Sequence, residues 1–189
     1  MNIHIVSDNS FFLLGIEETL VKQGDYKFKL LNIDDCADDY NKFFLPVPGD
    51  IIIVSVKNLL LRERIMQMPI IKYCRVMLML SVPIRSMIRV YYPWLIRKDI
   101  NVRELFMLIN KAKKISSCLD YTSEKTKVIF KSLASGLKIE DVSSNSMLPV
   151  KHLYQVKRNI IKRYGLHHCN SIGVLICRDI IYVTNTRKL

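Results

Sequence analysis

The chain has 189 residues, of which 50% are hydrophobic, and it carries a formal net charge of +12 at pH 7. This length allows one ordinary domain or two small ones, and the apolar content argues against a disordered chain. The longest apolar runs, residues 50–56 and 75–84, have the length of buried strands. They are far shorter than the roughly 20 residues that cross a bilayer, so we expect no membrane association.

The positive charge is concentrated in the last third of the chain. Residues 1–121 contain 17 Lys and Arg against 13 Asp and Glu, a balance of +4. Residues 122–189 contain 12 against 4, a balance of +8 in a much shorter segment. Such a basic segment favours a polyanionic partner, either nucleic acid or an anionic surface. Solubility alone is the alternative that the charge leaves open.

The cysteines indicate a reducing compartment. Cys36, Cys74, Cys118, Cys169 and Cys177 are odd in number, scattered, and form no CxxC pair. This argues for free thiols and against a disulfide framework or a zinc site. The N-terminus also lacks the basic start and the sustained apolar segment of a signal peptide. We therefore expect a cytoplasmic protein without a metal or other cofactor.

The first 114 residues alternate between strand-like and helix-like patterns. Strands are predicted at residues 2–7, 26–33, 49–56, 75–81 and 93–97. Helices are predicted at residues 9–24, 34–44, 57–68, 84–90 and 102–114. Five strands that alternate with helices predict a doubly wound α/β domain with a parallel five-stranded sheet over residues 1–114.

Residues 115–121 are polar and aperiodic, which predicts a linker before an all-α four-helix domain at residues 122–189. Its helices are predicted at residues 123–136, 138–147, 149–166 and 170–180. Thr122 is the expected N-cap of the first, with Gly136 just past its end. Pro149 stands at the entrance of the third, and Gly165 is its stop. Residues 181–189 form a tail of uncertain conformation.

The third of these helices has two opposed faces. At about 100° per residue, one broad arc is apolar and contains Val150, Leu153, Val156, Ile160, Ile161 and Tyr164. The opposite arc, called the basic face here, contains Lys151, Tyr154, Gln155, Arg158 and Lys162 and no acidic residue. A merely solvated face usually mixes charges, often as Glu–Lys pairs four residues apart.

A short helix, a tight turn and a basic helix make a helix-turn-helix, whose second helix enters the major groove of DNA. Arg and Lys suit guanine edges, and Gln suits adenine. The basic face therefore favours DNA recognition over the alternative of a plain surface helix.

Residues 133–166 resemble the LuxR-type helix-turn-helix of bacterial transcription regulators. Leu133, Ala134 and Gly136 match its Leu-Ala-x-Gly motif. Leu153 and Ile160 take the Val and Ile places, and residues 163–165 stand for its Lys-Leu-Gly ending. The departures are Lys125 for the leading Glu, Ser143 for an Ala, His152 for a Thr, Val156 for a His, and Pro149 for a capping Ser.

This resemblance implies roles for the side chains of the third helix. It implies base contacts by Tyr154, Gln155 and Arg158, and phosphate contacts by Lys151, His152, Lys157 and Lys162. Domains of this type commonly pair through their last helix, here residues 169–180. Its central Val174, Leu175 and Ile176 are equally compatible with an ordinary core.

The N-terminal pattern, placed before such a domain, resembles a response-regulator receiver of flavodoxin-like fold. Ser81 matches the switch hydroxyl of that family, and Lys98 matches its lysine. Two acids of the family are missing. Ser7 stands in place of the acid that normally precedes Asp8, and Ser55 stands in place of the phosphoacceptor Asp. Mg²⁺ needs oxygen ligands, mainly carboxylates, and a serine without a general base is a weak nucleophile. We expect a pseudo-receiver without aspartyl phosphorylation, which serves either pairing and partner binding or a small ligand.

Together these features predict a two-domain, LuxR-type bacterial transcription regulator that binds promoter double-stranded DNA, as a dimer. The alternative is an auxiliary co-regulator that heterodimerises with another LuxR-type regulator and contributes little DNA binding of its own. RNA polymerase is a further candidate partner, and we expect the protein at the nucleoid. An enzyme is not expected, because the sequence shows no Gly-rich phosphate loop, no paired carboxylates and no nucleophile–base arrangement.

Overall fold

The computed structural model describes residues 1–21, 26–34, 40–85, 91–115, 119–168 and 170–186. Its first part, called the α/β unit here, has five strands: β1 Ile3–Ser7, β2 Phe28–Asn32, β3 Ile51–Ser55, β4 Arg75–Leu80 and β5 Trp94–Arg97. Its helices are α1 Ser10–Ile16, α2 Tyr40–Phe43, α3 Leu59–Gln67 and α4 Val102–Lys114. The strands pair in parallel in the order β2-β1-β3-β4-β5, which is the flavodoxin-like order. The predicted α/β fold class is confirmed.

Both faces of the sheet are covered, as the uninterrupted apolar strands predict. Ile51 and Ile53 of β3 pack in one core cluster with side chains of α1 and α4. Ile52 and Val54 point to the other face, into a cluster that contains Ile65 of α3. Because side chains alternate along a strand, a strand of five buried residues needs layers on both sides.

Helix caps explain where the helices of the α/β unit begin. Asn9, Asn58 and Asn101 cap α1, α3 and α4 through their side-chain oxygens. α4 has the predicted bounds, and α3 lies within the predicted range. α1 gives way to a π-helical turn at Glu17–Val21, where the Thr19 hydroxyl donates to the carbonyl of Gly15 at 2.5 Å. The end of that predicted helix, residues 22–24, lies outside the described residues, as do residues 35–39 of the predicted second helix.

The predicted helix at residues 84–90 is wrong at its start. Ile84 forms an antiparallel bridge with Leu166, and the backbone N–H of Arg85 donates to the carbonyl of Gly165 at 2.8 Å. Pairing with a distant segment thus replaces the local hydrogen bonds of a helix. The rest of this prediction, residues 86–90, lies outside the described residues.

The second part of the chain, called the helical unit here, contains α5 Glu124–Ala134, α6 Ile139–Ser146, α7 Val150–Arg163 and α8 Ser171–Val183. The predicted four-helix arrangement is confirmed. Two short parallel strands, β6 Tyr121–Thr122 and β7 Asn185–Thr186, bring its two ends together. The segment predicted as a tail of uncertain conformation begins at residue 181 with the last three residues of α8, which ends at Val183. It continues into β7.

Two details of the helix ends correct the sequence analysis. Thr122 is not the N-cap of α5: its backbone pairs with Thr186, and the Ser123 hydroxyl oxygen accepts from the N–H of Thr126 at 3.2 Å instead. Pro149 is the N-cap of α7 rather than its first helical residue. Gly136 and Gly165 follow α5 and α7 with φ of 91° and 72°, as expected of helix stops.

The two units pack against each other. One cluster of buried side chains extends from a face of the sheet through α3 to α8 and the other helices of the helical unit. Within the predicted linker, Leu119 and Asp120 are buried, and Leu119 bridges to Tyr92. No helix in the described ranges is long and apolar enough to cross a membrane. The domain limits at residues 114 and 122 remain a prediction.

Candidate nucleic-acid interface and the pocket at the sheet edge

α6, a tight turn and α7 form the predicted helix-turn-helix. Met147 turns the chain in the left-handed region, with φ of 54°, and the side chain of this residue is almost fully exposed. The Ser143 hydroxyl donates to the carbonyl of Leu148 at 2.5 Å, and the Ser146 hydroxyl donates to the carbonyl of Val142 at 2.6 Å. Ser143, a departure from the LuxR-type pattern, therefore contributes a hydrogen bond that an alanine would lack.

The apolar side of α7 holds this helix to the rest of the helical unit. Leu153 and Ile161 are completely buried, and Tyr164, just past the helix, is nearly so. Val150, Val156 and Ile160 are half-buried against the same cluster. Val156, which stands where the LuxR-type pattern has a histidine, thus packs toward the core and does not lie on the basic face.

The basic face is open to solvent. All five of its side chains, Lys151, Tyr154, Gln155, Arg158 and Lys162, are exposed, as is His152 at its edge. Lys157, half-buried, lies on the apolar side of the helix, about 60° beyond Tyr154 by the helical geometry. The predicted base contacts therefore share one face of α7 with the predicted phosphate contact His152 at its edge, whereas the predicted phosphate contact Lys157 lies away from this face.

Four of the five Lys and Arg residues of α7 have no acidic partner among the described residues, unlike several other basic residues of the helical unit. Arg163 pairs with Asp120, Lys127 pairs with Glu124, and Arg178 is paired as well. None of Lys151, Lys157, Arg158 or Lys162 forms an ion pair within the described ranges. The face therefore keeps a net positive charge that is available to a polyanion.

One further side chain, not among the predicted contacts, borders this face. Asn159 is exposed and lies about 40° around the helix from Gln155. Its amide both donates and accepts hydrogen bonds, as adenine recognition requires. The helical spacing identifies Asn159, because this residue follows Gln155 by four positions.

The pocket at the carboxyl edge of the sheet contains the remaining predicted site residues. Ser7 and Ser55 lie opposite each other in the register of β1 and β3. The Ser7 hydroxyl donates to the carbonyl of Ser55 and accepts from the N–H of Asn9, both at 3.1 Å. Oδ2 of Asp8 accepts from the backbone N–H groups of Lys57 at 2.5 Å and Asn58 at 3.1 Å. Ser7 and Asp8 thus hold the strand ends and the start of α3 together.

Ser55, Lys98 and Ser81 differ in their surroundings. Ser55 is buried, and its hydroxyl oxygen has no hydrogen-bond partner among the described residues. Burial lowers the pKa of Lys98, the Asp8 carboxylate opposes this shift, and the positive charge of Lys57 adds to it. Ser81 is exposed and lines an open cavity of about 640 Å³ with Lys98 and, from the helical unit, His167. The structure therefore places Ser7, Asp8 and Ser55 together and Ser81 beside Lys98.

Comparisons with known proteins give structural similarities and no sequence relatives. No protein-family profile and no curated protein matches the chain. RcsB from Salmonella enterica serovar Typhimurium bound to promoter rprA, in the presence of phosphomimetic BeF3⁻, is similar with 12% identity and a TM-score of 0.45. That similarity covers 96% of this chain and 99% of the RcsB chain.

Two further solved structures are similar over nearly their whole length. A structure of two RcsB dimers bound to two parallel DNAs has 14% identity and a TM-score of 0.46, with 96% and 98% of the two chains covered. Full-length FixJ from B. japonicum has 12% identity and a TM-score of 0.35, with 94% and 96% covered. Such identities and TM-scores are too low to transfer a function to this chain.

Proposed function

We propose that this protein is a DNA-binding transcription regulator of the LuxR type, which acts as a dimer on promoter DNA and without aspartyl phosphorylation. The observation that carries the proposal is the basic face of α7. It lies on the second helix of a helix-turn-helix, is exposed, and has no acidic residue and no ion pair with a described residue. Solubility alone does not require that one exposed face of a helix carry Lys151, Arg158 and Lys162 with no anion beside them.

The side chains of the basic face suit two kinds of DNA contact. Tyr154, Gln155 and Arg158 have the reach and hydrogen-bonding groups to read base edges in the major groove. Lys151, His152, Lys157 and Lys162 would contact phosphates, which fix the position of the helix without reading sequence. With 14 residues, α7 is about 21 Å long, enough to lie across the major groove, which is about 12 Å wide.

The pocket at the sheet edge supports regulation without phosphorylation. Ser55 stands at the end of β3 where a receiver carries its phosphoacceptor, and Asp8 gives one oxygen to two backbone N–H groups. Beryllofluoride with Mg²⁺, a mimic of the phosphoryl group, is therefore expected to leave the NMR spectrum and the DNA affinity unchanged. Resonance shifts near Asp8 and Ser55 on its addition would contradict this part of the proposal.

The experiment for DNA reading is a binding measurement on sequences selected from random DNA by the purified protein. The Gln155→Ala and Arg158→Ala double variant should lose preference for the selected sequence over random DNA, because two of the three side chains assigned to base edges, including the arginine suited to guanine, are truncated. Lys111→Ala, which removes an exposed cation from the α/β unit, is the matched control and should retain the preference. Unchanged preference in the double variant would refute the assignment of the reading face.

A second candidate function is that of a co-regulator that pairs with another LuxR-type regulator. An open cavity of about 700 Å³ along β5 and α4 favours it, because apolar side chains such as Met107 and Leu108 line this cavity beside the charged Glu104 and Lys111, as in the core and rim of a protein–protein contact. The co-regulator proposal predicts that DNA binding appears only after the second regulator is added. Sequence-selective binding by the purified protein alone would exclude it.

A further inference from the structure

Four large apolar side chains are exposed together at the amino edge of the sheet, where the parallel strands begin. They are Met1, Leu45, Val47 and Tyr73, and each of them is more than half exposed. This group is called the edge patch here. Single exposed apolar residues are ordinary on a protein surface, but a group of neighbouring ones marks a binding surface. The pocket described above lies at the opposite edge of the sheet and does not include them.

Contacts at the start of β4 bring three members of the edge patch together. The Cys74 thiol donates to the carbonyl of Val47 at 3.4 Å, which places Tyr73, the preceding residue, beside Val47. The next residue, Arg75, has its Nη1 3.9 Å from the sulfur of Met1. Residues from three separate parts of the chain therefore meet at one edge.

Leu45 and Val47 lie on a segment that is anchored from its inner side. Burial alternates along this segment, since Phe44 and Pro46 are buried whereas Leu45 and Val47 are exposed. The ring of Phe44 packs edge-on against His4 of β1, with 5.7 Å between the ring centroids. The two exposed side chains are thus held outward by the fold. Groups that are already held in place lose less conformational entropy when they bind.

Lysines surround the edge patch. Lys27 directly precedes β2, Lys72 adjoins the tyrosine of the patch, and Lys114 ends α4. The carbonyl of Lys27 accepts from the start of β1 at 2.9 Å, and the carbonyl of Ile115, next to Lys114, accepts from Arg75 at 3.1 Å. All three lysines are exposed, and none forms an ion pair with a described residue.

The carboxylates of this part of the α/β unit leave the lysines uncompensated. Asp50 is buried, and its oxygens accept hydrogen bonds from backbone N–H groups and lie 2.9 Å from Nε2 of His4. Glu17 and Glu18 lie on the π-helical turn, which packs against α4 at the side of the unit. The amino edge therefore presents an apolar centre with cations around it.

We propose that the edge patch docks the protein on the surface of a bilayer that contains anionic lipid. Apolar side chains enter the boundary between headgroups and acyl chains, a tyrosine is suited to that boundary, and lysines attract anionic headgroups. A second copy is disfavoured, because a twofold contact would bring the same lysines face to face. DNA is disfavoured, because Leu45 and Val47 offer neither hydrogen bonds nor aromatic stacking. The contact needs no membrane-spanning segment and does not depend on the proposed function.

Cosedimentation with lipid vesicles tests the proposal in the full-length protein. The vesicles contain either phosphatidylcholine alone or phosphatidylcholine with about one third phosphatidylglycerol, at physiological salt. The wild type should bind the mixed vesicles and not the neutral ones. The double variant Leu45→Ser and Val47→Ser should bind the mixed vesicles about tenfold more weakly or worse, because its apolar side chains are removed. Lys72→Gln with Lys114→Gln should weaken binding by a similar factor.

Two matched controls lie at the other edge of the sheet. Leu60→Ser removes an exposed apolar side chain at the start of α3, and Arg103→Gln removes an exposed cation at the start of α4. Both controls should bind the mixed vesicles as the wild type does. Circular dichroism should give the same Tm for all these variants, because each replaced side chain is exposed.

Fluorescence separates insertion from mere attraction of charges. Tyr73→Trp places a fluorophore in the edge patch, and its emission should shift to shorter wavelength when the mixed vesicles are added. Trp94, the one natural tryptophan, is buried and should keep its emission in the wild type. An unchanged emission of Tyr73→Trp on vesicles that bind the protein would overturn the proposal.

Three further results would overturn it. One is equal binding of wild type and the Leu45→Ser and Val47→Ser variant. Another is loss of binding only in Lys151→Ala with Arg158→Ala, since the bilayer would then contact the basic face of α7. The third is a mass in solution that falls with Leu45→Ser and Val47→Ser, which would identify a second copy as the occupant. DNA binding by the wild type is measured separately, so failure of the proposed function leaves each of these outcomes readable.

Discussion

Arg62 and Glu63 of α3 form a network of ion pairs with Arg178 and Asp179 of α8. Asp179 is the residue whose replacement most directly tests this network between α3 and α8. This carboxylate is completely buried and accepts hydrogen bonds from two guanidinium groups. Asp179→Asn keeps the size of the side chain but removes the negative charge, and the new amide N–H groups point at the donors of an arginine. Arg62 and Arg178 would then remain in the interface with Glu63 as their remaining charged partner.

The expected cost follows from what the substitution leaves behind. Removing one partner of a buried ion pair costs about 3–5 kcal/mol, because the other charge stays buried and uncompensated. For a chain of this size, 1 kcal/mol shifts Tm by about 2–4 °C, so a loss of about 4 kcal/mol lowers Tm by about 8–16 °C. The assay is thermal denaturation followed by circular dichroism.

Two further variants make the measurement specific. Asp99→Asn breaks an ion pair whose side chains are mostly exposed, so its Tm should match that of the wild type. Arg62→Met added to Asp179→Asn should recover part of the loss, because it removes one of the stranded cations. A Tm of Asp179→Asn within about 2 °C of wild type would refute the reasoning, since it would mean that the network is hydrated rather than buried.

Three other expectations concern DNA, the turn and pH. Lys151→Ala and Lys162→Ala should each reduce the slope of log affinity for DNA against log salt concentration by about one, as measured by fluorescence anisotropy. The control Lys111→Ala should leave the slope unchanged. An unchanged slope in the α7 variants would argue against phosphate contacts. Met147→Gly should raise the free energy of unfolding, measured by urea denaturation, by about 0.5–1 kcal/mol, because glycine adopts the left-handed conformation of this residue without steric cost. Alanine keeps that steric cost, so equal stability of Met147→Ala and Met147→Gly would contradict the explanation. Burial lowers the pKa of His4, although its hydrogen bond to a carboxylate opposes the shift, so the folded protein binds fewer protons than the unfolded chain. Stability should therefore fall as pH drops below about 6.5, and His4→Gln should flatten this dependence between pH 7.5 and 5.5.

Local patterns were enough to predict most of the longer helices and strands of both units. β3 follows from a run of consecutive apolar residues bounded by a Pro-Gly turn, and α4 and α7 follow from helical periodicity with recognisable ends. The exposed position of Arg158 and the buried position of Leu153 follow from the same periodicity. These features were predictable because each depends on residues within one or two turns of the chain.

The errors come from contacts between distant segments. Ile84 carries a helical pattern but pairs with Leu166, and Thr122 is a good N-cap residue whose backbone pairs with Thr186. The ion pair between Arg62 and Asp179 joins residues 117 positions apart, and nothing in either local sequence identifies the partner. An Arg-Asp pair inside an otherwise apolar helix was the available signal that α8 meets a charged surface.

The core that runs from the sheet through α3 into α8 limits how this chain can diverge. Regulators assembled from separate modules tolerate the exchange of one module for another, because few contacts cross the boundary. Here an exchanged helical unit would meet an α3 that lacks its matching charges, so α3 and α8 have to change together. Descendants of this protein should therefore retain or lose Arg62, Glu63, Arg178 and Asp179 as a set, and a chimera should fold only when α3 is transferred along with the helices.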